Sequence, residues 1–232
     1  NVGPRARAAR GGFRERGGVA VNDRRGRQVM GITGGIACGK SEVGRILERR
    51  GFAVCDADNL AHAVIAPGGE AREAVVRRFG PEILDAGAGG AVDRAALARR
   101  VFGDPRALAD LNAIVHPAAR RALDRWLAAL PPDRDAAALV PLLFEAGWTA
   151  GWTAVICVAA DPARVRERLA RRGWTEEESQ RRLSAQWPLE EKMRRADYVI
   201  RNDGTLAELE CAVAEMLRRI RDPEQENRHD AG

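Results

Sequence analysis

The chain has 232 residues, 45% of them hydrophobic and 31% charged, with a net charge of +5, which is enough apolar material for one substantial core and a small inserted subdomain. No stretch approaches the roughly 18 apolar residues a membrane-spanning helix needs, and no apolar run near the start has the form of a secretory signal, so a cytoplasmic protein without a membrane partner is expected. Cys38, Cys55, Cys157 and Cys211 are scattered without a Cys-x-x-Cys pair, which argues against a zinc knuckle or a disulfide framework and predicts reduced thiols.

The basic charge is unevenly spread. Residues 1–28 carry eight arginines against Glu15 and Asp23, leaving the rest of the chain close to neutral. This Gly/Arg-rich stretch has no hydrophobic period and too little apolar surface to fold alone, so it reads as a disordered tail, and nucleic acid is not the expected partner. Lysine is nearly absent: Lys40 and Lys192 are the only two among 38 basic residues. In a chain that otherwise uses arginine, a retained lysine marks a place where a planar guanidinium would not fit.

From Gln28 to Thr33 an apolar strand runs into the glycine-rich Gly34–Gly39. Ser41–Arg50 follows with Val43, Ile46 and Leu47 at helical spacing and Gly51 as the stop. Phe52–Cys55 reads as a second buried strand ending at Asp56-Ala57-Asp58, with a helix from about Asn59. Strand, turn, helix, strand in this order predicts an α/β fold, a parallel sheet with helices on both faces. Residues from about 60 to 130 carry helical patterns broken at Pro67-Gly68-Gly69, at Gly80-Pro81 and at the Gly/Ala loop 86–91, and predict an inserted helical subdomain. Asp104-Pro105 caps one of its helices and His116-Pro117 opens another. Ala136–Phe144 and Ala154–Ala159 are apolar runs of central-strand length, the second followed by Asp161-Pro162 as helix cap and first residue. Residues from about 163 to 195 are helical, carry nine arginines and hold a capping-box pattern at Thr175–Glu178. Tyr198–Arg201 is a last short strand and 205–220 an amphipathic helix, which leaves 223–232 as a C-terminal tail.

Gly34-Gly35-Ile36-Ala37-Cys38-Gly39-Lys40-Ser41 fits the pattern G-x-x-x-x-G-K-[ST]. Its glycines let the backbone curl so that successive N–H groups face phosphate oxygens beside the positive end of the next helix. In that arrangement Lys40 spans the β- and γ-phosphates of ATP and the Ser41 hydroxyl ligates Mg²⁺, with Ala37, Cys38 and Glu42 completing the nucleotide-binding stretch. No N/T-K-x-D base-reading motif follows, which argues against a GTPase.

Asp56 and Asp58 lie at the carboxyl end of the second strand, where open parallel sheets bind ligands, and on an extended segment they face the same way. Two readings fit them equally: a carboxylate that orients an acceptor hydroxyl and takes its proton, or Asp58 capping the next helix while Asp56 makes a structural hydrogen bond. His116 is either a packed residue or part of a site. Glu145, at the end of the Pro141-Leu142-Leu143-Phe144-Glu145 strand, is either a ligand or a salt-bridge partner. The arginine-rich 163–195 reads as a helical lid that closes over a triphosphate, since it falls between the last two strands.

Taken together, Thr33-Gly34-Gly35-Ile36, Gly39-Lys40-Ser41, Asp56-Ala57-Asp58, His116-Pro117, Pro141–Glu145, Gln186, Glu191-Lys192, Ala196-Asp197 and Ile200/Asn202 resemble the motif series of the dephospho-CoA kinase family, in order and at similar spacing over about residues 29–220. The resemblance implies a P-loop kinase domain over 29–222 that transfers the ATP γ-phosphate to the 3′-hydroxyl of dephospho-CoA. It implies Asp58 as base, Arg171 as a lid arginine, Asn202 near the adenine, and Asp56, His116 and Glu145 on the substrate side. A monomer or weak homo-oligomer is expected. Ala37-Cys38 stands where Gly-Ser is more usual, Leu139 where an acidic residue is common, and Arg201 where an aspartate often precedes the asparagine. A nucleoside monophosphate kinase or another small-molecule P-loop kinase would share loop, sheet and lid; the ordered motif set favours dephospho-CoA.

Overall fold

The computed structural model describes residues 26–85, 90–101 and 103–222. Positions 1–25 of the predicted basic tail, the predicted C-terminal tail and positions 86–89 of the Gly/Ala loop lie outside the described residues. The chain divides into two compact units, one spanning Cys55–Leu130 and one built from the segments on either side of it.

The first unit opens with β1 (Val29–Gly34), every residue of which is buried, as befits a central strand with no polar side to keep. After the glycine-rich loop comes α1 (Lys40–Arg49), whose buried Val43, Ile46 and Leu47 form the stripe the spacing predicts. Gly51 takes φ 91° just past this helix and donates to Glu48 O at 2.9 Å, a left-handed stop that disfavours a side chain. β2 (Ala53–Asp56) then carries the chain toward the second unit.

That second unit holds α2 (Ala57–Ile65), α3 (Arg72–Phe79), a 3-10 turn at Pro81–Ile83, α4 (Arg94–Val101) and the long α5 (Pro105–Ala129). Val64, Ile65, Val75, Phe79, Ile83 and Leu97 pack with Ala107, Val115 and Ala118 of α5 into one core. Asp104 caps α5 as expected, accepting from Arg106 N at 2.9 Å and Ala107 N at 3.1 Å. His116-Pro117 does not open a helix, however: both residues lie inside α5. An internal proline removes a backbone donor and costs about 3 kcal/mol in a free helix. Here Val115 and Ala118, on either side of the exposed Pro117, are core residues, and their burial holds the helix through the break.

The chain returns to the first unit with β3 (Ala136–Leu139), β4 (Ala154–Ala159), α6 (Pro162–Arg171), α7 (Glu176–Ser184), α8 (Leu189–Arg195), β5 (Tyr198–Arg201) and α9 (Leu206–Arg221). The five strands form one sheet in the order β2-β3-β1-β4-β5. β1 pairs in parallel with β3 on one side and β4 on the other, placing Thr33 opposite Cys157 and Gly34 opposite Val158. Met30 and Ile32 join residues of α1 and α9 in the main core. Gly31 and Thr33 alternate to the other face, where a Cβ on Gly31 would sit 2.8 Å from Leu143.

Two predicted elements are shorter than the apolar pattern indicated. β3 stops at Leu139 instead of reaching Phe144, because Pro141 has no N–H for the ladder; Val140 N makes the last such bond, to Ile32 O at 2.8 Å, and residues 141–147 turn. The helical stretch from about 163 to 195 is three helices, interrupted at Gly173 (φ 78°) and before Pro188. No helix among the described residues is long and apolar enough to cross a membrane.

Candidate active site

The phosphate-loop pattern sits where the strand-loop-helix order requires, between β1 and α1. Gly34 (φ 137°) crosses β4 so closely that a Cβ would fall 2.0 Å from Val158 O, and Gly39 (φ 104°) leaves no room beside Asn202. Ala37 also adopts a left-handed φ of 56°. Gly39 is the N-cap of α1 and supplies no side-chain acceptor to the first turn, whose positive end faces the loop and suits an anion. Lys40 Nζ folds back over the start of the loop, donating to Gly34 O at 3.1 Å and Gly35 O at 2.8 Å. Ser41 is exposed in the first turn. Cys38 is buried, and burial pushes its thiol up against the opposing pull of Lys40; Cys157 beneath it in β4 is pushed up to about 12 by the same cause. Both are neutral packing groups at neutral pH.

The outer side of the loop is braced from elsewhere in the first unit. Asn202, 8% exposed just after β5, donates from Nδ2 to Cys38 O at 2.9 Å. Arg168 of α6 donates to Ala37 O at 3.2 Å, to Cys38 O at 3.4 Å and to Asn202 O at 2.8 Å. One arginine and one asparagine thus hold the loop carbonyls of Ala37 and Cys38. The structure places Arg171, the arginine singled out in the sequence, elsewhere: it is 76% exposed and paired with Glu167 at 2.6 Å. Arg168 was legible in principle, since helical spacing sets it beside the buried Val165–Leu169 stripe and Arg171 on the far side. Arg201 pairs with Asp203 two residues on, at 2.9 Å.

Behind the loop strand lies a buried ion pair. Lys192 is fully buried; its Nζ is 2.7 Å from Glu145 Oε1 and donates to Pro141 O at 2.8 Å. Pro141 O also accepts from Thr33 Oγ1 at 3.2 Å, and Glu145 Oε1 from Trp187 N at 3.0 Å. Glu145 Oε2 is buried without a hydrogen bond to any described residue. Glu145 therefore stands in a turn after β3 and not at a strand end, and its first partner is a lysine.

In the second unit, Asp56 is the N-cap of α2 and its carboxylate accepts from Asp58 N at 2.9 Å. The capping residue is thus Asp56 and not Asp58. Because the helix begins at Ala57, the two aspartates do not share one extended segment, and the same-face expectation fails. Asp58 is exposed in the first turn of α2. His116 is half-buried within α5, and burial lowers its pKa.

Comparison with known proteins gives a consistent result. A family model described as dephospho-CoA kinase matches residues 28–208. The chain is 42% identical over 193 residues to a dephospho-CoA kinase of Geobacillus kaustophilus, covering 82% of this chain and 95% of the relative. To one of Parasynechococcus marenigrum it is 42% identical over 186 residues, covering 80% and 92%. A Thermus thermophilus protein of known crystal structure superposes with a TM-score of 0.71 at 40% identity, over 83% of this chain and 97% of that one. A dephospho-CoA kinase from Campylobacter jejuni, at 24% identity and a TM-score of 0.62, shares the fold over 84% of this chain and 98% of its own. With the phosphate loop in place between β1 and α1 and this match running through nearly the whole described chain, the protein belongs to the dephospho-CoA kinase family.

Proposed function

We propose that the chain transfers the γ-phosphoryl group of ATP to the ribose 3′-hydroxyl of dephospho-CoA, giving CoA and ADP, the last step of coenzyme A synthesis. The observation that carries the reading is the braced phosphate loop Gly34–Ser41, with Lys40 folded over it and the uncapped start of α1 behind it. The acceptor's 3′-oxygen attacks the γ-phosphorus, the bond to the β–γ bridging oxygen breaks, and ADP leaves with that electron pair. Lys40 exchanges the carbonyls of Gly34 and Gly35 for phosphate oxygens and offsets the charge that builds on them. Asp58 takes the hydroxyl proton, while Asp56 caps α2 and orients that first turn. Arginines of α6 and α7 supply further positive charge as the lid closes.

Mg²⁺ fits this site through the Ser41 hydroxyl in the first turn of α1, an oxygen donor beside the phosphate loop, since Mg²⁺ takes oxygen ligands and few of them from protein beside phosphates and water. Ser41 would hold it, and the ion would offset negative charge on the transferring phosphates. The deciding experiment is acceptor-dependent ADP release with dephospho-CoA, compared with AMP, CMP and shikimate. Release confined to dephospho-CoA supports the reading; equal release with AMP would replace it with a nucleoside monophosphate kinase.

A further inference from the structure

Lys192 is one of only two lysines in the chain, and the other is in the phosphate loop. Its site explains the choice. At zero exposure, a compact group must reach Glu145 Oε1 and Pro141 O together, and a guanidinium needs a wider, planar berth. The two acceptors lead to different parts of the nucleotide machinery. Pro141 O also accepts from Thr33 Oγ1, and Thr33 is the residue immediately before Gly34 of the loop. Glu145 Oε1 accepts from Trp187 N, in the short link between α7 and α8, where Trp187 stacks on Phe144 with ring centroids 6.3 Å apart. Two residues later Leu189 packs beside Gly35, 3.6 Å from where a Cβ would stand. The arginine-rich α6 and α7 leave the sheet after β4 and return to it at this link.

We infer that the Lys192–Glu145 pair is a positioning device for phosphoryl transfer: it fixes the return of the α6–α7 segment against the strand that feeds the phosphate loop, without touching either substrate. The contacts of the pair run to Pro141, Thr33 and Trp187, beneath the loop and at the link, so its loss should affect how the catalytic groups are arranged more than how ATP is held. The inference rests on the proposed kinase activity.

Lys192→Met strands a buried carboxylate, whereas Lys192→Met/Glu145→Met replaces the pair by apolar side chains, an exchange that commonly keeps or restores stability. In the double variant, melting temperature is expected to return near the wild-type value while kcat stays at least ~10-fold low and both KM values remain within about threefold. In Lys192→Met, amide exchange at Trp187 is expected to accelerate while exchange in β1 and β4 does not. A double variant with wild-type stability and wild-type kcat would make the pair merely structural and overturn the proposal. A rise confined to the KM for dephospho-CoA would overturn it too, by making Glu145 a substrate contact through its second oxygen. Should the wild-type enzyme release no ADP with dephospho-CoA, the proposed function fails by itself. The exchange measurement still decides the pair, since unchanged exchange at Trp187 in Lys192→Met would refute its hold on the link.

Discussion

Replacing Gly39 with alanine puts one methyl group at the tightest point of the phosphate loop. The residue sits at φ 104° and ψ 21°, and its new Cβ would lie 2.1 Å from Asn202 Nδ2. An L-residue forced into left-handed space costs about 1–2 kcal/mol. The Asn202 amide must also swing away, which breaks its bond to Cys38 O at 2.9 Å and leaves a buried group unpaired, a further cost of about 1–3 kcal/mol. The sum, about 2–5 kcal/mol, corresponds to a melting temperature lower by roughly 5–15 °C in a domain of this size. ATP affinity should fall as well, because the displaced asparagine no longer orients the Cys38 carbonyl. Differential scanning calorimetry and titration calorimetry with ATP measure both effects. Asn202→Ala added to Gly39→Ala removes the collision but not the φ strain, so the double variant should be more stable than the two single losses predict by addition. A Gly39→Ala protein that melts within about 2 °C of wild type and binds ATP normally would refute the steric reasoning.

Lys40→Ala should lower kcat by about 10²-fold or more, the scale of a lost charge stabiliser. Its Nζ donates to the carbonyls of Gly34 and Gly35, and turnover near wild type would remove the phosphate-spanning role. Asp58→Asn should cut kcat by about 10²-fold with ATP affinity kept, whereas Asp56→Asn, which preserves the cap on α2, should stay active. The reverse pattern in steady-state kinetics would move the base to Asp56. Burial lowers the pKa of His116 below its ordinary 6.5, so the unfolded chain binds that proton more readily than the folded one. The contribution to stability is therefore complete above about pH 6.5 and is lost as pH falls through the lower folded value; His116→Gln should flatten that part of the melting-temperature profile, and an unchanged slope would place the acid sensitivity elsewhere.

Features governed by a few adjacent residues were legible from the chain alone. The phosphate loop is a contiguous pattern whose glycines, lysine and serine act within one strand-loop-helix unit, and the strand at Ala154–Ala159 was marked by an uninterrupted apolar run. The α/β class followed from their order. Local rules failed where neighbours in space compete with neighbours in sequence. Pro117 looks like a helix start, yet core contacts of Val115 and Ala118 carry α5 through it. Phe144 looks like strand, yet Pro141 has already released the chain from the ladder.

The functional side chains divide in the same way. Composition alone marked Lys192 as unusual, but its partners Glu145 and Pro141 lie 47 and 51 residues away in sequence, and no local pattern names them. Arg168 and Asn202 are likewise 34 residues apart and meet at the loop only because tertiary packing brings α6 and the residue after β5 to the same carbonyl, that of Cys38. The sequence by itself determined the fold class, the phosphate loop and the family motifs, since these depend on backbone conformation and hydrophobic period over short spans. The tertiary structure alone decided which arginine braces the loop and which lysine is buried, because each depends on a carbonyl or carboxylate brought within about 3 Å by packing.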